Sequence, residues 1–196
     1  MVSFRAVMVA VGVSVTAASM ASAQTAQRWA IQTSVLFATM SANIFENVEN
    51  GPGLEAQLRF SPSALSVGIG GQITRHGIES DVVGDMNLFG VFLEPRYVIA
   101  LESNRFAPYV SGRLSFLRGS LDGDQGSVEG NGAQFNAGGG VLVRLTPRVN
   151  LDLGATYGRL DFGRITKVID GEEFEDEGEG GGNLVLRVGL AFGLGR

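Results

Sequence analysis

The sequence predicts an all-β chain: eight antiparallel strands running up and down and closing into a barrel. Three observations carry this. Side-chain character alternates with a period of two in eight separate stretches. Beyond the first two dozen residues, no stretch approaches the roughly 18 consecutive apolar residues of a helical span. The connections between stretches alternate between short turns and long polar segments.

A strand turns successive side chains to opposite faces, so a period of two separates one face from the other. Strand one, about 29–40, sets Trp29, Ile31, Val35 and Phe37 against Gln32, Ser34 and Ala38, with Thr33 and Leu36 fitting poorly. Strand two, about 53–60, sets Leu54, Ala56, Leu58 and Phe60 against Glu55, Gln57 and Arg59. Strand three, about 64–76, sets Leu65, Val67, Ile69 and Ile73 against Ser66, Gly68, Gly70, Gln72 and Thr74. Strand four, about 86–99, sets Phe89, Val91, Leu93 and Tyr97 against Gly90, Phe92, Glu94 and Arg96. Pro95 within it costs a ladder hydrogen bond unless a bulge absorbs it.

Strand five, about 108–118, sets Val110, Leu114 and Phe116 against Ser111, Arg113 and Ser115. Strand six, about 133–145, sets Phe135, Val141, Val143 and Leu145 against Gln134, Asn136, Gly138, Gly140 and Arg144. Strand seven, about 148–160, sets Val149, Leu151, Leu153, Ala155 and Tyr157 against Asn150, Asp152, Gly154 and Thr156. The last strand has the cleanest pattern, with Leu184, Leu186, Val188, Leu190, Phe192 and Leu194 on one face and Asn183, Val185, Arg187, Gly189, Ala191 and Gly193 on the other. Residues 61–63 and 146–148 read as tight turns and 100–107 as a moderately short connection, while 41–52, 77–85, 119–132 and 161–182 read as long loops.

The same alternation suits a water-soluble barrel with its apolar face inward. Two features favour the reverse. The non-greasy face is rich in Gly, Ser, Asn and Gln, which suits the narrow interior of eight strands. On the greasy face, Trp29, Phe60 and Tyr97 gather at the short-turn rim, and Phe37, Phe89, Phe116, Phe135 and Tyr157 gather towards the long-loop rim. Aromatic girdles of that kind border the lipid band of a membrane barrel. Lys167 is the only lysine beside 14 arginines, whereas water-facing surfaces usually carry many lysines. The expected fold is therefore an eight-stranded antiparallel up-and-down transmembrane β-barrel.

The first 23 residues read as a cleaved signal peptide. Arg5 supplies the positive end, Ala6 to Ala18 is an uncharged apolar run, and Ala21-Ser22-Ala23 is a small-x-small cleavage pattern. The barrel domain is then 24–196. The net charge of −5 argues against a nucleic-acid partner. The absence of cysteine excludes disulfides and thiolate metal sites. No cofactor motif is present: the glycine runs at 68–71 and 138–140 lie inside strands, not on a strand-to-helix turn. Asp122-Gly123-Asp124 opens like a calcium loop, but the twelfth position is Ala133 instead of Glu.

The chain resembles the small outer-membrane β-barrel proteins of the OmpA-like, opacity-like group, above all in 90–97 (GVFLEPRY), 107–110 (APYV) and 138–147 (GGGVLVRLTP). These motifs are architectural. The resemblance implies location in the cell outer membrane, contact with its lipids and lipopolysaccharide, and insertion by the barrel assembly machinery. Members of that group usually end on an aromatic residue, whereas this chain ends Phe192-Gly193-Leu194-Gly195-Arg196.

Inward parity collects Glu55, Arg59, Glu94, Arg96, Arg113, Arg144, Asp152 and Arg187. Buried charges need partners, so this set reads as an ionic plug filling the lumen or as a narrow gated path. His76, the only histidine, falls where strand three meets a long loop near Glu79, Ser80 and Asp81. It reads as a solvated loop residue, with a lipid A-modifying His–Ser–carboxylate site as the sharper alternative. The last long segment carries Asp161, Asp170, Glu172, Glu173, Glu175, Asp176, Glu177 and Glu179. It reads as a mobile acidic surface loop able to bind divalent cations weakly. Three functional classes follow: a non-enzymatic envelope protein serving membrane integrity or surface interaction, a small passive pore, and a lipid A-modifying enzyme.

Overall fold

Burial alternates residue by residue along the strands, and the buried side is the polar one. In the computed structural model, which describes residues 28–41, 48–78, 85–123, 126–169 and 172–194, Gln32, Glu55, Arg96, Arg113, Asp152 and Arg187 are buried while Ile69, Phe116, Phe135 and Tyr157 are each more than 60% exposed. The expected leader, residues 1–23, lies outside the described residues.

Nine strands are present among the described residues: β1 (Trp29–Ser41), β2 (Gly51–Phe60), β3 (Leu65–His76), β4 (Met86–Val98), β5 (Phe106–Gly123), β6 (Gly126–Thr146), β7 (Val149–Ile169), β8 (Glu172–Glu177) and β9 (Gly180–Leu194). Sequential neighbours pair antiparallel from β1 to β7. β9 pairs with both β7 and β1, which closes the barrel. β8 pairs only with the far end of β7 and precedes β9 on the same stave. The barrel therefore has eight staves, as the alternation predicts.

Closure fixes its girth. Stepping through paired residues from Ile31 leads to Leu58, Ile69, Leu93, Leu114, Phe135, Arg159 and Gly182, and returns to β1 at Ser41, ten residues along. Eight strands with that stagger, at ~3.3 Å rise and ~4.8 Å spacing, tilt by about 40° and leave a backbone radius of about 8 Å. Side chains can fill such a lumen.

The stagger displaces each stave by just over one residue from its neighbour, which sorts the outward aromatics into two levels. Trp29, Phe60, Tyr97, Phe106 and Phe192 form the short-turn level; Phe37, Phe89, Phe116, Phe135 and Tyr157 form the long-loop level. Trp29 and Phe60 pack with ring centroids 4.7 Å apart. The levels stand about 20 Å apart along the barrel axis, close to the roughly 25 Å apolar band of membrane barrels. Just above the upper level, three outward arginines, Arg75, Arg118 and Arg159, pair with Asp85, Glu129 and Asp161.

Pro95 costs the β4–β5 ladder its pairs, as expected where no bulge absorbs it: the ladder passes from Leu93↔Leu114 to Arg96↔Ser111 with unchanged register, and the pairs between are missing. Two expectations need correction. The segments expected as loops at 119–132 and 161–182 are largely strand, because β5 to β8 continue beyond the closed part of the barrel as paired hairpins. Ile169 pairs with Glu172, so only Asp170-Gly171, a strong hairpin dipeptide, connects β7 to β8. The β-branched run Ile165, Thr166, Val168 and Ile169 favours a strand there. The acidic segment is thus not a mobile loop over Glu172–Glu177 but a strand held to β7.

Candidate functional site

The lumen is built in layers. At its centre the inward residues of seven staves meet around three carboxylates. Glu94 of β4 is fully buried and accepts from four arginines: Arg59 Nη2 and Arg96 Nη2 at 2.8 Å on Oε1, and Arg187 Nη1 at 2.7 Å and Arg113 Nε at 2.9 Å on Oε2. Asp152 of β7 accepts from Tyr109 Oη at 2.6 Å, Gln32 Nε2 at 2.7 Å and Arg96 Nη2 at 3.0 Å. Glu55 of β2 accepts from Ser34 Oγ at 3.0 Å and forms an ion pair with Arg113 Nη1 at 2.7 Å. Arg113 also donates to Gln72 Oε1 of β3 at 3.1 Å. Two guanidiniums lie over aromatic rings, Arg96 at 3.8 Å from Tyr109 and Arg113 at 4.0 Å from Phe92.

Small inward residues make this possible. A Cβ on Gly154 or on Gly140 would stand 2.5 Å from Tyr109 Oη, and one on Gly68 would stand 2.1 Å from Gln57 Oε1. These glycines clear volume for the long polar side chains of neighbouring staves.

Apolar layers cover the network at both ends. On the short-turn side Val98, Ala107, Tyr109 and Leu142 pack together. On the long-loop side Leu88, Leu117, Leu160 and Phe162 do so, with Met40, Met86 and Ile165 against them. Leu36, Ala38 and Val185 fill the wall just below. Leu36, which breaks the alternation of β1, points inward and packs with Ala38 and Val185.

Of the eight inward charges named from parity, seven meet in one network: Glu55, Arg59, Glu94, Arg96, Arg113, Asp152 and Arg187. Arg144 is only half-buried, at the short-turn end of β6. Tyr109, which shares the parity of Ser111 and Arg113, belongs with them.

His76 is not a solvated loop residue. It ends β3 pointing inward, fully buried, with Nδ1 3.0 Å from the Glu49 carbonyl oxygen and Nε2 3.0 Å from Thr74 Oγ1. Glu79, Ser80 and Asp81, its proposed companions, lie outside the described residues, as does Asp170 of the acidic segment. The side chains of Glu172, Glu173, Asp176 and Glu177 also lie outside the described set, whereas Glu175 and Glu179 are exposed.

This architecture, polar inside and greasy outside with two aromatic levels, matches a known family. Residues 7–192 match the outer membrane protein beta-barrel domain. The chain belongs to that family. Among solved structures, this outer membrane barrel is similar to Neisserial surface protein A, at 18% identity and a TM-score of 0.66 over 86% of this chain and 98% of that one. It is also similar to the outer membrane protein OprG from Pseudomonas aeruginosa, at 10% identity and a TM-score of 0.60 over 87% of this chain and 97% of that one. At those identities the likeness is one of fold. No curated protein sequence matches the chain significantly. The outer membrane barrel places its strands across the lipid of the outer membrane, which accounts for the exposed apolar side chains.

Proposed function

We propose that this outer-membrane barrel is a closed, non-enzymatic envelope protein, whose sealed lumen is a structural plug and whose long-loop side serves membrane integrity or surface interaction. The observation that carries this reading is the layering. Glu94, Arg96 and Asp152 are at most 1% exposed, with packed apolar residues above and below them. An ion crossing the lumen would have to displace both apolar clusters and break charge-assisted hydrogen bonds between them, each stronger than a neutral one. The passive-pore reading finds no support in that arrangement. Nor does the lipid A-modifying reading, since a His76 buried in the lumen and engaged on both ring nitrogens is not positioned to meet a lipid.

In this reading the partners are outer-membrane lipids and lipopolysaccharide along the apolar band, and the barrel assembly machinery during insertion. The acidic β8 segment adds weak divalent-cation binding at the surface. Residues 1–23 are removed on export, leaving 24–196 as the mature barrel, which N-terminal sequencing of the membrane form would establish. Planar-bilayer recording of the purified barrel tests the plug. No conductance steps are expected at moderate voltage in 1 M salt. Regular single-channel steps would overturn the closed-barrel reading.

A further inference from the structure

The charges buried in the lumen do not balance. Among the described residues, the fully enclosed charged groups are four arginines, Arg59, Arg96, Arg113 and Arg187, and three carboxylates, Glu55, Glu94 and Asp152. One positive charge is left over among side chains at most 5% exposed, where an uncompensated ion is strongly disfavoured.

A second observation places the compensation. Between the network and the short-turn apolar layer lies a small cavity of ≈ 20 Å³, lined by Gln32, Arg59, Ser66, Arg96 and Asn150 among polar residues. Arg59 Nε and Arg96 Nε are buried N–H donors without a protein partner, and they are the groups that call for an acceptor; Gln32 Oε1 and Asn150 Oδ1, also unpartnered, are amide oxygens that call for a donor. Buried polar groups are otherwise satisfied in folded proteins, so atoms of this kind mark a ligand or ordered water. Ser66 Oγ accepts from Arg59 Nη1 at 3.1 Å, which leaves its own hydroxyl proton for another acceptor. The side-chain amide of Asn150 presents a donor if its oxygen and nitrogen exchange places, a choice set by the hydrogen-bond network.

We propose that this cavity binds one small monovalent anion of halide size. Two guanidinium N–H groups and the Ser66 hydroxyl hold it, and it neutralises the surplus charge of the plug. The volume suits one chloride, or one or two waters. Ser61 of the β2–β3 turn lines the cavity, so exchange would run through the short-turn end, on the side away from the acidic hairpin. Chloride is the abundant ion of that size. Water alone would satisfy the unpartnered atoms but would leave the charge.

Crystals of the barrel grown or soaked in bromide test this. A single anomalous peak bounded by Arg59, Arg96 and Asn150 is expected. Ordered density there with no anomalous signal, meaning water only, would overturn the proposal. In solution, the unfolding temperature of the barrel in detergent should rise with chloride and not with gluconate at equal ionic strength. A tenfold rise in chloride above its dissociation constant is worth about 1.4 kcal/mol. Asn150→Asp places a fixed carboxylate in the cavity. That variant should lose both the bromide peak and the chloride dependence, and be at least as stable as the parent in gluconate. Equal stability of the parent barrel in the two salts, or a chloride dependence that survives in Asn150→Asp, would refute the assignment.

Discussion

Unfolding of the Glu94→Gln barrel is expected to require at least about 3–5 kcal/mol less than unfolding of the parent, the usual cost of removing one partner from a buried charge pair. Glutamine matches glutamate in volume and keeps one oxygen to accept hydrogen bonds, so packing is barely disturbed and the effect is one of charge. Four guanidiniums donate to Glu94. Without its charge, four buried arginines face only Glu55 and Asp152, and the new amide N–H₂ points a donor at donors. The residues concerned come from β2, β4, β5 and β9, so the loss loosens several staves at once. Urea unfolding of barrel reconstituted in thin bilayers, followed by tryptophan emission, reads the change, since Trp29 is the only tryptophan and sits in the short-turn aromatic level. A shift under about 1 kcal/mol would mean that Glu94 is not the hub of the plug.

Ile69→Arg is expected to cost about 2–4 kcal/mol, the penalty for a basic residue on the lipid face at mid-bilayer. Ile69 is 62% exposed, pairs with Leu58 and Leu93, and stands midway between the two aromatic levels. The same substitution at a position already beside Arg75, Arg118 or Arg159 should cost about 1 kcal/mol or less, because the penalty fades near the interface. The comparison separates a lipid-facing band from a surface packed against protein, where the penalty would not follow depth. Equal costs at the two depths would contradict the lipid-facing assignment.

Much of this was legible in the sequence because lipid imposes a strict rule. No outward side chain between the girdles carries a charge, so the charged residues of a strand reveal its inward face, and seven of the eight charges named from parity lie in one network. What was hidden breaks that rule. Leu36, Leu88, Leu117 and Leu142 are apolar and inward, so alternation gives no sign of the apolar clusters at the two ends of the lumen. Tyr109 is an inward aromatic whose hydroxyl serves Asp152. The hairpin extensions lie above the lipid, where neither face need be greasy; turn chemistry at Asp170-Gly171, not periodicity, was the available signal. Register was out of reach too. The ten-residue stagger that brings Glu94 beside Arg187 across 93 positions of sequence depends on how every pair of staves aligns.

The central claim is that the lumen charges act as one interlocked unit, and a double-mutant cycle tests it most directly. Glu94→Gln and Arg113→Leu each break the network, but together they remove one charge of either sign and restore the original balance. Their unfolding free energies should be strongly non-additive, with the double variant less destabilised than the sum of the singles by about 1–3 kcal/mol. Additivity within about 0.5 kcal/mol would show that the two side chains do not share a network, and would contradict the ionic plug.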